Sequence, residues 1–290
     1  MDMTRQLLDL PDGRTLCFAE WGDPEGFPVV ALHGTPGNRL NRHPDSEQYV
    51  RAGARIITYD RAGYGASTRR PGRSVVDSVE DVAALVDHLG IGRFSVTGGS
   101  GGGPHSLAVA ARLGDRVVRA RCAVGIAPYR AAGLDFFAGM TEMNVTEFRW
   151  ALEGEDVLVP NIEREHAGFV ARVAAEPATM LGDYEVDAVD VAVMARDDMA
   201  TMLREFGAEL GRGGYWGWST TTWRSPARGA STCPRSPSPW RSGTAPRTPW
   251  CLLRTVTGWP RRCPVLPPSS SRARATWGTP TTCSFSPGGW

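Results

Sequence analysis

Lysine is absent from the 290 residues: all 32 basic side chains are arginines. That excludes a phosphate loop ending in Gly-Lys-Ser/Thr. Asp and Glu stop at Glu209 and His stops at His166, so the last eighty residues can supply no acid or base to a catalytic site. No run approaches the roughly 18 apolar residues of a membrane span, and no membrane partner is expected. Met1–Gly13 lacks the basic patch and apolar stretch of an export signal, so a cytoplasmic protein is expected. Cys233, Cys251, Cys263 and Cys283 form no Cys-x₂-Cys pair, and disulfides between them would need an oxidising compartment that nothing else indicates. No metal or organic cofactor is implied. Cys17 and Cys122 read as core strand residues. What remains is 41% hydrophobic and 22% charged, a globular composition with room for one large α/β domain or two small ones.

Two compositions share the chain. Residues 1–210 carry 21 Arg against 31 acids, a net of −10, whereas residues 211–290 carry 11 Arg and no acid. The same last eighty residues hold eight of the ten Trp, twelve of the 22 Pro and four of the six Cys.

The first part alternates strands and helices. Apolar runs flanking Pro11-Asp12-Gly13 predict a hairpin. Pro28–Leu32, Arg55–Tyr59, Phe94–Thr97 and Arg119–Ile126 are short apolar runs of the kind buried in a parallel sheet. Asp77 and Glu80 have capping-box spacing ahead of Val79, Val82, Leu85, Val86 and Leu89, which repeat at helical intervals up to Gly90. Ser106–Leu113 continues as another helix. The fold class is therefore α/β, a doubly wound, mostly parallel sheet whose functional loops gather at the carboxyl ends of the strands. From Tyr129 the pattern turns helical, with long stretches at Glu163–Ala175 and Asp187–Leu210, and reads as a helical cap over that edge. The expected divisions are a core over 1–128, a cap over 129–213 and an aberrant Arg/Pro/Ser/Trp-rich tail over 214–290, irregular or disordered.

Gly98-Gly99-Ser100-Gly101-Gly102 sits between a strand and a helix, where a sharp turn tolerates only small neighbours and pushes a serine hydroxyl into the cleft. Ser100 is the candidate nucleophile; a plain glycine-rich turn is the bland alternative. The backbone N–H of Gly101 is one candidate oxyanion donor, and Thr35, in the turn His33-Gly34-Thr35-Pro36-Gly37, is the other. His33, Gly34, Gly98 and Gly102 support these two loops. Gly34 and Gly37 could equally serve only to permit positive φ.

Three ordered motifs, HGTPGN (33–38), YDRAGYGAS (59–67) and TGGSGGGPHS (97–106), resemble those of the α/β-hydrolase fold superfamily in its small, capped bacterial branch. The resemblance covers about residues 5–210. It implies hydrolysis of an ester, amide or similar bond in a small-molecule substrate through an acyl-enzyme, with a triad in chain order Ser, Asp/Glu, His. Aspartate-nucleophile relatives such as epoxide hydrolases and haloalkane dehalogenases fit less well, since Ser100 stands at the elbow. The pattern then breaks, because the acid and histidine should follow the cap and this chain has neither there. His33 belongs to the oxyanion turn, His43 to a polar loop, His88 to the end of a surface helix and His105 to the helix after the elbow. His166 falls on the cap and reads as part of a solvated helix face.

The genetic code offers a reason. If the tail is read one nucleotide out of frame, back-translation with G or C at most free third positions turns Ser219–Gly229 into Val-Asp-Asp-Asp-Leu-Ala-Phe-Ala-Arg-Pro-Trp. Pro237–Arg241 then becomes Pro-Val-Ala-Val-Ala, a buried-strand pattern. Gly243–Cys251 becomes Trp-His-Gly-Thr-Glu-Asp-Thr-Met-Val, and Ala273–Trp277 becomes Gly-Glu-Gly-His-Leu. These resemble the acid and histidine loops of the superfamily. The acid codon straddles Arg247 and Thr248, the histidine codon Ala275 and Thr276. A frameshift near Gly214–Ser219 is therefore expected, leaving the activity of this polypeptide impaired. The alternative for the tail is Trp interleaved with Arg that stacks on single-stranded nucleic acid, in a protein without catalysis; no nucleic-acid partner is expected.

Overall fold

The computed structural model describes residues 2–181, 188–219 and 282–285. The expectations for Val-Asp-Asp-Asp and the later restored segments lie outside the described residues. A sheet in the order β1-β2-β4-β3-β5-β6-β7 organises the chain. Its strands are β1 (Gln6–Asp9), β2 (Thr15–Gly22), β3 (Phe27–Leu32), β4 (Ala54–Tyr59), β5 (Phe94–Gly99), β6 (Val117–Ala123) and β7 (Thr282–Phe285). The hairpin forms where Asp12-Gly13 predicts it, with Gly13 at φ +82° and Leu7 opposite Cys17. β4, β3, β5 and β6 are mutually parallel, and β1, β2 and β7 join antiparallel at the two edges.

One face of the sheet packs on α2 (Ser78–His88) and α3 (Gly103–Arg112), burying Val82, Leu85, Val86 and Val109 against Phe18, Val30, Ile57, Phe94 and Val96. α1 (Glu47–Arg51) is a single short turn beside β4 and β2. The capping box lies one turn earlier than its sequence spacing predicts. Asp77 reaches back to accept hydrogen bonds from the Ser74 N–H (2.5 Å) and Oγ (3.0 Å), which spends its carboxylate on a 3₁₀ turn, Val75–Asp77, ahead of α2.

After β6 the chain passes through turns in which Tyr129, Phe136 and Phe137 pack edge to face, with Phe148 of the following helix against Phe136, so the helical region starts later than Tyr129. It comprises α4 (Glu142–Glu153), α5 (Glu155–Ala175), α6 (Ala188–Met194), α7 (Asp197–Gly213) and α8 (Trp216–Ser219). α5 extends two turns before the predicted Glu163, with Pro160 accommodated near its start. The predicted single helix over 187–210 is two. Arg196 is extended and grips the Asp198 carboxylate through Nε (3.0 Å) and Nη2 (2.5 Å), and Asp197 and Asp198 favour the positive end of a new helix. These helices close on a second core of Tyr64, Leu158, Ile162, Met202, Leu203, Phe206, Leu210 and Trp218. Trp218 and the Gly217 backbone, which lies against the Tyr64 ring, are integral to that core. Thus residues 214–219, assigned by composition to the aberrant tail, are part of the folded body.

Candidate active site

β5 delivers Ser100 at φ +50°, a left-handed conformation rare for a residue with a Cβ, and a 3₁₀ turn (Ser100–Gly102) leads directly into α3. Ser100 is exposed. Two glycines make the turn possible. A Cβ on Gly98 would run into the Gly102 carbonyl, and one on Gly102 into the carbonyls of Leu32 and His33.

The turn after β3 lies against this elbow. A Cβ on Gly34 would stand 3.5 Å from Ser100 Cβ and 3.9 Å from Ser100 Oγ. One on Gly101 would stand 3.2 Å from the Thr35 nitrogen and 2.5 Å from Thr35 Oγ1. Thr35 and Gly101, predicted from positions 66 residues apart in sequence, are thus neighbours beside the serine. The Thr35–Pro36 peptide is cis. His33 is a structural member of the turn. Its Nε2 accepts from the Arg61 N–H (3.1 Å), which leaves the proton on Nδ1, donated to Gly34 O (2.8 Å). Its ring meets Tyr64 edge to face at 4.8 Å, and burial with the Arg61 charge holds its pKa well below the usual histidine value. A pocket of about 150 Å³ opens beside the turn, lined by Ala31, Leu32, His33, Asn38, Asn41, Thr58 and Thr97–Gly99.

No histidine joins Ser100 among the described residues, and Ser100 Oγ has no hydrogen bond there. His43 and His88 are exposed. His105 is buried under the elbow helix, with Nδ1 bonded to Val75 O and Ser78 Oγ at 3.1 Å and Nε2 facing Arg61. His166 corrects the sequence reading: it is 7% exposed, not on a solvated face, and its Nε2 donates to Leu210 O at 3.1 Å. The helix α7 covers it. Position on a helix of mixed polarity cannot reveal which side a second helix will occupy.

Several buried polar groups around the site escape sequence reasoning. Arg39 donates from its backbone to Asp60 Oδ1 (2.6 Å), from Nη1 to Asp60 Oδ2 (2.8 Å) and to Glu209, and from Nε to Thr4 O (2.7 Å). Burial pushes Asp60 above the usual carboxylate range despite the Arg39 charge. Burial pushes Glu209 up as well, but hydrogen bonds from Arg39 and Arg212 outweigh it and its pKa lies below normal. Asn38 Nδ2 donates to Phe206 O (2.8 Å). The turn after β3 is therefore bolted to α7. In the helical layer Glu147 accepts from Trp218 Nε1 (2.7 Å); burial pushes its carboxyl up to about 7, the indole bond opposes this and the Glu165 charge adds to it. Among the described residues no cluster of His, Cys, Asp and Glu could hold a metal ion, and no helix is long and apolar enough to cross a membrane.

The strand order, the elbow and the turn beside it are those of one fold family. Residues 28–148 match the family model described as alpha/beta hydrolase fold. That segment, like the sheet that contains it, has the α/β-hydrolase fold. The chain is 40% identical over 113 residues to a proline iminopeptidase of Xanthomonas citri, a match covering 36% of this chain and 34% of that one. The matched segment thus spans about a third of the relative's length. Among solved structures it is similar to a carboxylesterase from Nitrososphaera gargenis (TM-score 0.50, 21% identity, 75% and 72% of the two chains). It is also similar to the enol-lactonase of Burkholderia xenovorans LB400 (TM-score 0.50, 17% identity, 76% and 74%), and both likenesses concern the fold.

Proposed function

We propose that this chain carries the first half of a serine acyl-hydrolase site, with Ser100 as nucleophile and the N–H groups of Thr35 and Gly101 as the oxyanion hole. The observation that carries the reading is Ser100 itself: a non-glycine residue held at φ +50° at the mouth of a parallel sheet, with Gly34 and the Thr35/Gly101 pair packed beside it. In the reaction the serine oxygen bonds to the carbonyl carbon of an ester or amide and the carbonyl π pair moves onto oxygen, where the two N–H groups meet it. The serine proton goes to a base and then to the leaving group as the acyl-enzyme forms; water reverses the steps and releases the acid. The base and its acid partner are those encoded out of frame downstream, so the present polypeptide is impaired. A serine hydroxyl with no base is a poor nucleophile near neutral pH. The substrate is a small molecule, the helices α4–α8 form the cap that selects it, no cofactor is needed and the site of action is cytoplasmic.

The activities for which the relatives are named, proline iminopeptidase, carboxylesterase and enol-lactonase, all break an acyl bond and agree with this class. The test is fluorophosphonate labelling of the protein expressed from a gene with the frame restored after codon 219. Labelling at Ser100, lost in Ser100→Ala, is the expected result. A frame-restored, folded protein that neither labels nor turns over any of a panel of p-nitrophenyl esters and aminoacyl anilides contradicts it.

A further inference from the structure

Arg61 is the least expected side chain near the elbow. It leaves the carboxyl end of β4, is 1% exposed, and among the described residues has no carboxylate at ion-pair distance. Its guanidinium carbon lies 5.1 Å from the Tyr64 ring centroid, and Nε is buried without a hydrogen bond among those residues. The other nitrogens converge on the serine's surroundings. Nη2 donates to Gly34 O (2.7 Å) and Thr35 Oγ1 (3.2 Å), and Nη1 donates to His105 Nε2 (2.7 Å). The backbone N–H holds His33, whose own Nδ1–H shares Gly34 O.

We propose that Arg61 is the positioning residue of the oxyanion hole: by clamping the Gly34 carbonyl it aims the Thr35 N–H at the oxygen that becomes charged on Ser100's substrate. The argument is geometric. A trans peptide is planar and its C=O and N–H point in opposite directions. The Gly34–Thr35 peptide has its carbonyl fixed by two donors on one side, Arg61 and His33. Its N–H therefore faces away from them, and a Cβ on Gly101, the residue after the serine, would stand 3.2 Å from that nitrogen. His105, anchored at Val75 and Ser78, pins the far end of the guanidinium, so the clamp is braced against the start of α2. The charge contributes too. A guanidinium stays protonated in proteins, and with no carboxylate at ion-pair distance among the described residues, it raises the positive potential at the site where the oxyanion develops.

This rests on the acyl-hydrolase reading, and the experiment separates the two. The soluble fraction of the full chain is treated at alkaline pH, where hydroxide replaces the missing base, with p-nitrophenyl acetate and with its thiono analogue, whose C=S sulfur accepts hydrogen bonds poorly. Acylation of Ser100 is followed by intact mass. Wild type is expected to prefer the oxygen ester. In Arg61→Met that preference is expected to fall roughly tenfold, while Arg61→Lys, which keeps the charge and one donor reach, recovers part of it. If both esters slow equally in Arg61→Met, or neither slows, the inference is overturned, since a general loosening does not distinguish oxygen from sulfur. Should Arg61→Met fail to fold by circular dichroism, the same ratio is read in Arg61→Gln. Acylation of Ser100→Ala as fast as wild type defeats the hydrolase reading instead. Amide exchange of the segment 33–38 then decides on Arg61 alone: faster exchange in the variant sustains the clamp and unchanged exchange overturns it.

Discussion

Ser100 pays for its position with backbone strain, and the strain is measurable apart from chemistry. A left-handed conformation costs an L-residue roughly 1–2 kcal/mol, which glycine avoids. Ser100→Gly and Ser100→Ala both delete the hydroxyl, so their difference isolates φ. Ser100→Gly is expected to be the more stable by about 1 kcal/mol once glycine's extra unfolded-state entropy is subtracted. Equal denaturation midpoints contradict the strain reading. Gly98→Ala tests the opposite case: its methyl meets the Gly102 carbonyl, so a loss of about 1–3 kcal/mol and of Ser100 reactivity is expected in chemical denaturation and labelling. Glu147 supplies a pH dependence. Its folded pKa, about 7, is raised above the ordinary glutamate value, so its contribution is fully present below about 4.5 and is lost as pH rises through 7. Glu147→Gln keeps the oxygen that Trp218 bonds and removes the titration. The variant should melt with wild type at low pH and a few degrees higher, about 2–4 °C per kcal/mol, at pH 8. Parallel melting curves at both pH values count against this.

Between elements, the decisive contacts are those joining the turn after β3 to α7. Arg39 sits between Asp60 and Glu209, all three buried. Removing one partner of such a group strands charges away from water, so Arg39→Met is expected to cost about 3–5 kcal/mol in urea unfolding. A loss below roughly 1 kcal/mol means the two carboxylates find other partners. This junction also marks the boundary of what was readable from sequence. The strands were legible because continuous apolar runs between glycine-rich loops have few other uses, and the elbow because Gly98, Ser100 and Gly102 recur with strand and helix on either side. Ser100, Thr35 and Gly101 meet because those loops share one sheet edge. Arg39, Arg61, Asp60 and Glu209 were not legible. A charged residue ordinarily faces water, and nothing in the linear order marks the few that turn inward toward partners 21 to 170 positions away. The break at Arg196 and the burial of His166 were hidden for a related reason, since each depends on how a later helix packs.

For the molecule as a whole, the arginine- and tryptophan-rich composition already begins within α7 and α8, whose residues are packed. Trp216 and Trp218 still pack with Tyr215 and Phe169, and Arg73 donates to Gly217 O (3.1 Å), so the protein is consistent with its own core through Ser219. On the proposed loss of frame, the change falls at the far end of the interval 214–219, at the codon from which back-translation yields Val-Asp-Asp-Asp. Among the described residues the neighbour of β6 on its outer side is β7, four residues paired antiparallel. The proposed loss of frame removes the strands expected after the cap, and with them apolar cover for that end of the sheet. The chain as written is therefore expected to express largely as aggregate, whereas the frame-restored gene yields soluble enzyme whose ester hydrolysis exceeds the original by the factor a triad contributes, about 10³ or more. Comparing the two proteins in one host by soluble yield and p-nitrophenyl ester turnover checks both halves. If the original chain is soluble, and shifts a single-stranded oligonucleotide in a salt-dependent way that deletion of residues 220–290 abolishes, the tail is a nucleic-acid-binding segment and no frame has been lost. The frame is equally intact if the gene from an independent isolate encodes these seventy-one residues unbroken, because a random out-of-frame tail has no reason to be kept.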